Sequence, residues 1–339
     1  MHQQVRQQNP NYKILLTYKS FNKFSHAGLG ITATNIRKVL SQRGYCVHAK
    51  AVKNYGELVE LVGKGYTHVV ISAAWVAPNE ISELIDTYPD TKFAVIYHSN
   101  IGFLMAEPKA VAWIPEYIAI QKMSPNFMFG ANNIQLASWA AQVYRYTTLH
   151  LPNLYYLDKG LPLSKPWNGG PIHIGCFGAQ RPLKNHLTAA AASLGIAEAL
   201  GERVEFYINS TRLDGGNYNA IKQLFNSHQH RAKLIEVPWA EWPQFKQQIG
   251  SMDLNLQSSF SESFNVVAAD SVSQCIPIVG SSAITWLPDY WQANPDNVLE
   301  IINIGTMLLS TKNAGHDGYK ALQEYVSRSV LNWEDWINS

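Results

Sequence analysis

The chain has 339 residues, of which 46% are hydrophobic and 15% charged, and this length favours two domains over a single core. A net charge of +2 is too small to indicate nucleic-acid binding by itself. The cysteines Cys46, Cys176 and Cys275 are odd in number and widely spaced, which argues against a disulfide or zinc framework and predicts reduced thiols in the cores. Residues 1–10 are polar, with neither a signal sequence nor a membrane span, so we expect a disordered start to a soluble, cytoplasmic protein.

Residues 11–153 alternate short apolar runs with longer amphipathic stretches. This alternation predicts a parallel sheet covered by helices on both faces, with ligands at the carboxyl ends of the strands. The predicted strands are KILLTY, CVHAKAV, THVVISAAW, KFAVIYHSN, NFMFGANN and TTLHLPN, and the predicted helices are TATNIRKVLSQRG, YGELVELVGKG, NEISELIDTYP and IQLASWAAQVYR.

A Pro/Gly-rich stretch over residues 154–170 predicts an interdomain linker, after which the alternation restarts. Residues 171–314 therefore predict a second doubly wound domain, and residues 315–339 a final helix with an apolar stripe. The second domain has the predicted strands PIHIGCFGA, RVEFYIN, AKLIEVP and MDLNLQSS and the predicted helices LTAAAASLGIAEALG, YNAIKQLFNSH and WPQFKQQIGS.

The segment SSFSESFNVVAADSVSQCIPIVGSSA follows the fourth predicted strand of the second domain. Ser263, Phe264 and Asn265 stand where a helix is expected to begin, and Asn265 is a favourable N-cap. The amide groups and dipole of a helix start favour a diphosphate. Glu262 would accept hydrogen bonds from sugar hydroxyls, and Asp270 from a ribose.

This segment resembles the donor-binding signature E-x7-E of the retaining GT-B glycosyltransferases typified by sucrose-phosphate and mannosyl transferases, written here as E-x7-D. The stretch FGAQRPLKNH resembles the family's first loop, which begins at Gly178. The resemblance makes Arg181 and Lys184 the side chains that grip the diphosphate, although their spacing is tighter than in the family and Asn replaces the usual Gly at position 185.

In the first domain, SHAGLGITATNIRKVLSQRGYCV resembles the family's Gly-rich loop and first helix. Gly28 and Gly30 would lie in the turn before that helix and let the backbone approach the donor phosphates. His98 stands where the family places a histidine near the reacting sugar, although Ser99 replaces the Asp that usually follows.

The resemblance implies an α/β protein of the GT-B architecture, with two Rossmann-like domains facing across a cleft and the final helix packing back on the first. It implies retention of configuration, a nucleoside diphosphate sugar such as a UDP-sugar as co-substrate, and no essential metal or other cofactor. The sequence contains no D-x-D motif, no G-x-S-x-G elbow, no Walker loop and no complete dinucleotide fingerprint.

The acceptor is less determined. Residues 1–160 hold 15 basic and 9 acidic residues, whereas residues 161–339 hold 12 and 16, so the predicted acceptor domain is the basic one. The string RPLKN resembles phage and prophage glycosyltransferases, some of which modify hydroxymethylated pyrimidines in DNA. This resemblance makes such a pyrimidine in phage DNA the leading acceptor. The basic balance is compatible with a phosphate backbone, and Trp75, Phe103 and Trp113 are candidate stacking residues. A saccharide, glycolipid or small-molecule acceptor remains open, as does a GT-B module that has lost catalysis; the oligomeric state is not determined.

Overall fold

The computed structural model describes residues 12–20, 27–158, 160–164 and 166–339, so the predicted disordered start lies outside the described residues. The chain divides into two compact units. Unit 1 comprises Met1–Tyr156 with Val326–Ser339, and unit 2 comprises Leu157–Tyr325.

Unit 1 contains a six-stranded parallel sheet in the order β2-β1-β3-β4-β5-β6. Near-continuous apolar runs form these strands because both faces of the sheet are covered by helices. The strands are β1 (Lys13–Lys19), β2 (Cys46–Val52), β3 (His68–Ser72), β4 (Lys92–Tyr97), β5 (Phe127–Ala131) and β6 (Leu149–His150). The helices are α1 (Ala27–Gln42), α2 (Tyr55–Val62), α3 (Pro78–Thr87), α4 (Ile101–Leu104), α5 (Pro108–Met123) and α6 (Ile134–Tyr144).

Successive residues of the unit 1 strands serve two different cores, because side chains alternate between the faces of a strand. Leu15 packs with residues of α2, α3, α5 and α6 on one face. Ile14 and Leu16 pack on the other face with residues of α1 and of the last helix, α12 (Ala314–Asn338).

The end of α12 supplies Trp333 and Trp336 to the second of these cores. The Trp333 indole also donates a hydrogen bond of 2.8 Å to the carbonyl of Pro152. The prediction that the final helix packs on the N-terminal domain is therefore confirmed.

Unit 2 contains a second six-stranded parallel sheet in the order β12-β11-β10-β7-β8-β9. Its strands are β7 (Ile172–Cys176), β8 (Val204–Asn209), β9 (Ala232–Val237), β10 (Leu254–Gln257), β11 (Ile278–Ser281) and β12 (Gln292–Ala293). Its helices are α7 (His186–Leu200), α8 (Tyr218–Asn226), α9 (Trp242–Gly250), α10 (Val266–Val272) and α11 (Val298–Ser310).

Helices α7 and α11 approach closely through glycine. A Cβ atom added at Gly195 would lie 2.2 Å from the Cδ1 atom of Ile302, and one added at Gly305 would lie 2.5 Å from that of Ile196. An alanine at either position would therefore require the facing isoleucine side chain or the helix that carries it to shift.

The described residues of the stretch predicted as a linker form no helix or strand. Leu154 and Tyr155 are buried in unit 1. Farther along, Tyr319 of unit 2 donates hydrogen bonds to the carbonyls of Asp158 and Gly160. Backbone groups of this irregular stretch are thus satisfied by unit 2 side chains.

The fold class predicted from the sequence is confirmed in its two doubly wound α/β units. The helices α4, α5 and α11 were not predicted, and Pro115 lies inside α5. The prediction that all three thiols lie in cores is wrong for Cys46, which is exposed at the start of β2, an edge strand. None of the helices formed by the described residues is long and apolar enough to cross a membrane.

Candidate active site

The carboxyl edge of the unit 2 sheet has a topological switch point between β7 and β10. From this point the chain proceeds through β8 to β9 on one side and through β11 to β12 on the other. Open α/β sheets bind ligands outside such a point, because the two loops that leave it diverge and open a crevice. These loops are residues 177–185, after β7, and residues 258–265, after β10.

The loop after β7 is held in one conformation by its backbone. Gly178 has a φ of +114°, which favours glycine, and its amide donates to the Asn209 side chain over 2.8 Å. A single 3₁₀ turn spans Pro182–Lys184. Asn185 then adopts a left-handed conformation and donates a 2.7 Å hydrogen bond to the Pro295 carbonyl. This turn fixes the backbone of Lys184 at the switch point.

Lys184 and Glu262 meet at this point although 78 residues separate them. The Lys184 Nζ atom lies 2.5 Å from Glu262 Oε1, and the side-chain amide of Asn265 donates to the same oxygen over 2.9 Å. Asn265 also accepts a hydrogen bond from the Ala268 amide, so its predicted role as the N-cap of α10 is confirmed. The Glu262 side chain is only 8% exposed, whereas that of Lys184 is 23% exposed. The site therefore holds an ion pair whose carboxylate is buried and whose ammonium group is partly exposed to solvent.

The groups behind this ion pair are neutral. Burial, together with the Lys184 charge, lowers the pKa of His186 to about 3. Burial raises the pKa of the Cys176 thiol to about 12, against a smaller opposing effect of Lys184. Near neutral pH the Cys176 thiol therefore adds no negative charge that would compete for Lys184, and the His186 imidazole adds no positive charge.

Arg181 lies on the other side of the same loop and belongs to a second charged cluster. Its Nε atom donates to Asp214 over 3.0 Å, and the Nε atom of Arg212 lies 3.4 Å from the same carboxylate oxygen. The Trp239 ring lies 5.5 Å from the Arg212 guanidinium, within cation–π distance. Two guanidinium groups thus share one carboxylate oxygen.

Sequence reasoning missed Arg212, Asp214 and Trp239. The available signal was a cation and a carboxylate in the string TRLDGG, directly after a predicted strand of the second domain. The string lay at the carboxyl edge of the predicted sheet, where ligands collect. Asp214 of this string can pair with Arg181 because the Gln180 backbone amide donates a hydrogen bond to the Arg212 carbonyl, which brings the two loops together.

The remaining predicted donor residues are more enclosed. Asp270 is buried, and its Oδ1 atom accepts a 2.9 Å hydrogen bond from the half-buried Trp242 indole. Phe264 is also buried, against the rings of Trp286 and Tyr325. Any contact of Phe264 with a donor would therefore fall to its backbone, while Ser263 beside it is partly exposed.

In unit 1, the expected glycine turn is placed differently. Gly28 and Gly30 lie in the first turn of α1 and not in the connection that precedes it. A Cβ atom at Gly28 would meet nothing within 4 Å, whereas one at Gly30 would lie 3.3 Å from the Tyr18 ring. Helix α1 therefore begins earlier than the sequence indicated, and its first turn carries both glycines.

His98 follows β4 at the carboxyl edge of the unit 1 sheet. Its Nδ1 atom lies 3.4 Å from the Asn132 side-chain nitrogen, which in turn donates to Asn153 over 3.2 Å. Desolvation lowers the pKa of His98 to about 4, so the ring is neutral at physiological pH. A neutral imidazole can accept a hydrogen bond from the hydroxyl of an acceptor molecule or donate one to it.

The three aromatic residues proposed to stack on a base are all partly buried. Trp75 and Trp113 pack against the core of unit 1, and Lys19 lies 5.8 Å from the Trp75 ring. Trp75 follows β3 beside β1, where the strand order of unit 1 reverses. Of the three, Trp75 is thus the residue at a switch point.

Comparisons with known proteins identify the fold of the chain. The sequence matches no protein-family model and no characterised protein. Solved structures do match, including a Rickettsia africae glycosyltransferase at 13% identity with a TM-score of 0.61, covering 95% of this chain and 94% of that one. An E. coli structure described as trehalose-6-phosphate and bound with UDP-2-fluoro glucose matches at 11% identity and a TM-score of 0.61, covering 94% and 96%.

A mutant of S. aureus TarM in complex with fondaparinux, alpha-GlcNAc-glycerol and UDP matches at 10% identity with a TM-score of 0.58. The match covers 85% of this chain and 59% of TarM, so the chain spans well under two thirds of that protein. Taken with its two Rossmann-like sheets, these neighbours show that the chain has the GT-B fold of glycosyltransferases.

Proposed function

We propose that the chain transfers a sugar from a UDP-sugar to an acceptor hydroxyl, with the donor on unit 2 and the acceptor on unit 1. The observation that carries the proposal is the Lys184–Glu262 ion pair at the switch point between β7 and β10. A nucleotide sugar has an anionic part and a hydroxyl-rich part. This ion pair offers a cation to the first and a carboxylate to the second.

Lys184 and Arg181 would stabilise the departing diphosphate, because its negative charge grows as the bond to the sugar breaks. Both cations have carboxylate partners in the unliganded chain. Asp214 can keep its contact with Arg212 while Arg181 turns to a phosphate. Glu262 would orient the sugar hydroxyls, and Asp270 would accept from the ribose if the Trp242 side chain moves.

We further propose retention of configuration without a protein nucleophile. The bond between the anomeric carbon and the β-phosphate oxygen breaks, and the acceptor oxygen bonds to the same face of that carbon. The acceptor proton passes to the departing phosphate, so the products are the glycosylated acceptor and UDP. Since Lys184 and Arg181 supply the positive charge, the reaction needs no divalent metal.

A thermal-shift screen with UDP-glucose, UDP-N-acetylglucosamine, GDP-mannose and ADP-glucose tests the donor assignment, because a ligand of the folded state raises stability by mass action. We expect a shift with a UDP-sugar, and slow UDP release when no acceptor is present. A shift without any UDP release under any acceptor condition would instead indicate a GT-B module that has lost catalysis.

For the acceptor, one proposal is a hydroxymethylated pyrimidine in DNA, supported by the surplus of six basic residues in positions 1–160. Its test is transfer to oligonucleotides containing 5-hydroxymethylcytosine or 5-hydroxymethyluracil, read as added base mass. Affinity for such DNA would fall about a hundredfold or more between 50 and 200 mM salt.

The placement of the charges favours the second acceptor class, an uncharged saccharide, glycolipid or small molecule. Among the described residues of unit 1, the carboxyl edge of the sheet carries as many carboxylates as cations, namely Glu57, Glu80 and Glu107 against Lys19, Lys53 and Lys109. At the opposite edge, at the start of a strand or at or just after the end of the preceding helix, stand six other cations and two carboxylates: Lys13, Arg43, Lys64, Lys92, Lys122 and Arg145, with Asp86 and Asp90. Over the part of unit 1 that the structure describes, the surplus of cations thus lies away from the edge where an acceptor would bind.

A further inference from the structure

Three exposed apolar side chains lie on the connections after β4 and β5, at the carboxyl edge of unit 1. Ile101 begins α4 and is 43% exposed, Met105 directly follows that helix and is 80% exposed, and Ile134 begins α6 and is 51% exposed. We call these three residues the apolar rim.

The two connections that carry the rim are joined by a side-chain hydrogen bond. Ile101 and Met105 stand four residues apart in helical backbone, so they share one face. The Asn100 side chain donates to that of Gln135 over 3.2 Å, which ties the residue before Ile101 to the residue after Ile134. His98 and its partner Asn132 lie on the same two connections, after β4 and β5.

Of the other helix starts at this edge, those of α2 and α3 carry an acidic residue in the first turn, whereas that of α1 does not. Helices α2 and α3 have Glu57 and Glu80 in their first turns, and each carboxylate accepts a hydrogen bond from a backbone amide at the helix start. Helices α4, α5 and α6 have no acidic residue in the first turn. Acidic residues are favoured at a helix N-terminus because they interact with the helix dipole. The apolar residues Ile101 and Ile134 do not provide this stabilisation.

We propose that the apolar rim binds an alkyl or aryl group of the acceptor, so that the acceptor is an uncharged, amphipathic hydroxyl compound. This inference rests on the proposed function, because it takes the carboxyl edge of unit 1 as the acceptor side. Among the described residues, the equal numbers of carboxylates and cations at this edge suit an uncharged molecule, and the rim removes apolar area of that molecule from water. His98 lies on the connection after β4, which also carries Ile101.

The test compares octyl with methyl glycosides of glucose, galactose and mannose, below the micelle concentration, using the UDP-sugar that gives the largest thermal shift. Initial rates give kcat/KM, and saturation-transfer NMR measures binding of the octyl chain independently of turnover. We expect the octyl compounds to be favoured at least tenfold, corresponding to burial of about two methylene groups.

Two methionine variants make a matched pair. Met105→Gln changes the rim, whereas Met123→Gln changes a methionine that is 77% exposed at the end of α5, at the opposite edge of the sheet. Met105→Gln should lower the octyl preference about threefold or more, and Met123→Gln should leave it unchanged. Both side chains are exposed, so neither change should impair folding.

Four results would decide against the inference. Absence of saturation transfer to the octyl chain overturns it, as does an equal effect of the two methionine variants. Preferred transfer to hydroxymethylated DNA overturns it in favour of the nucleic-acid acceptor, while the donor assignment stands. Failure of every nucleotide sugar to bind or release nucleoside diphosphate overturns the proposed function, and the acceptor inference falls with it.

Discussion

Replacement of Lys184 by Met should separate the catalytic from the structural role of the ion pair at the switch point. Met keeps most of the volume of Lys but removes the charge. Glu262, only 8% exposed, would then retain the Asn265 amide at 2.9 Å and lose its cation. An uncompensated buried carboxylate is costly.

The magnitude follows from burial. Removing one partner of a fully buried pair costs about 3–5 kcal/mol, but Lys184 is 23% exposed and Glu262 keeps a hydrogen bond. We therefore expect a loss of about 1–3 kcal/mol in the free energy of unfolding, or about 3 °C per kcal/mol in the melting temperature of unit 2. Turnover should fall roughly tenfold to thousandfold, as when a single electrostatic stabiliser is removed.

The assay combines calorimetric unfolding, UDP release and UDP affinity by titration calorimetry. The double variant K184M/E262Q should recover most of the stability, because the carboxylate charge has gone, but none of the turnover. As a control, Lys222→Met removes an exposed partner of Glu236 and should leave the melting temperature nearly unchanged, with normal turnover. Wild-type turnover and UDP affinity in K184M would refute a donor role for Lys184.

Three further predictions follow from the same structure. Asp214→Asn should raise the affinity for UDP severalfold, because the two arginines lose their shared carboxylate; unchanged affinity in titration calorimetry would place the diphosphate elsewhere. The free energy of unfolding should be highest above about pH 6.5 and should fall towards pH 4. Burial lowers the folded-state pKa of His68 to about 4 and that of His186 to about 3. Both values lie below the value of about 6.5 in the unfolded chain, so acid favours the unfolded chain. Urea midpoints that are equal at pH 7 and pH 5 would contradict this. Activity should survive EDTA, and complete loss that Mn²⁺ restores would contradict metal independence.

Local features of the site were accessible from the sequence. The cap at Asn265 was predicted because capping depends on a residue type and its neighbours three positions on. Most strands and most helices were predicted, because burial imposes periods of two and 3.6 residues on the chain, but the short strand β12 was not. Helix α5, which contains Pro115, and the mostly apolar α11 lack a clear hydrophobic periodicity, and neither helix was predicted.

Which charged groups meet was decided by the tertiary structure. The sequence singled out Arg181 and Lys184 as equivalent phosphate ligands, but one pairs with Asp214 and the other with Glu262. Phe264 belongs to the predicted donor motif, yet its ring packs against Trp286 and Tyr325.

The physical reason is the range of the interactions. Hydrophobic periodicity and capping act within a few residues and are visible in any short window of the chain. The partners of Lys184 and Arg181 lie 78 and 33 residues away, and loops that leave neighbouring parallel strands bring them together. The sequence by itself therefore determined two doubly wound domains and a set of candidate residues, and only the packing of the second sheet decided which of those residues form one site.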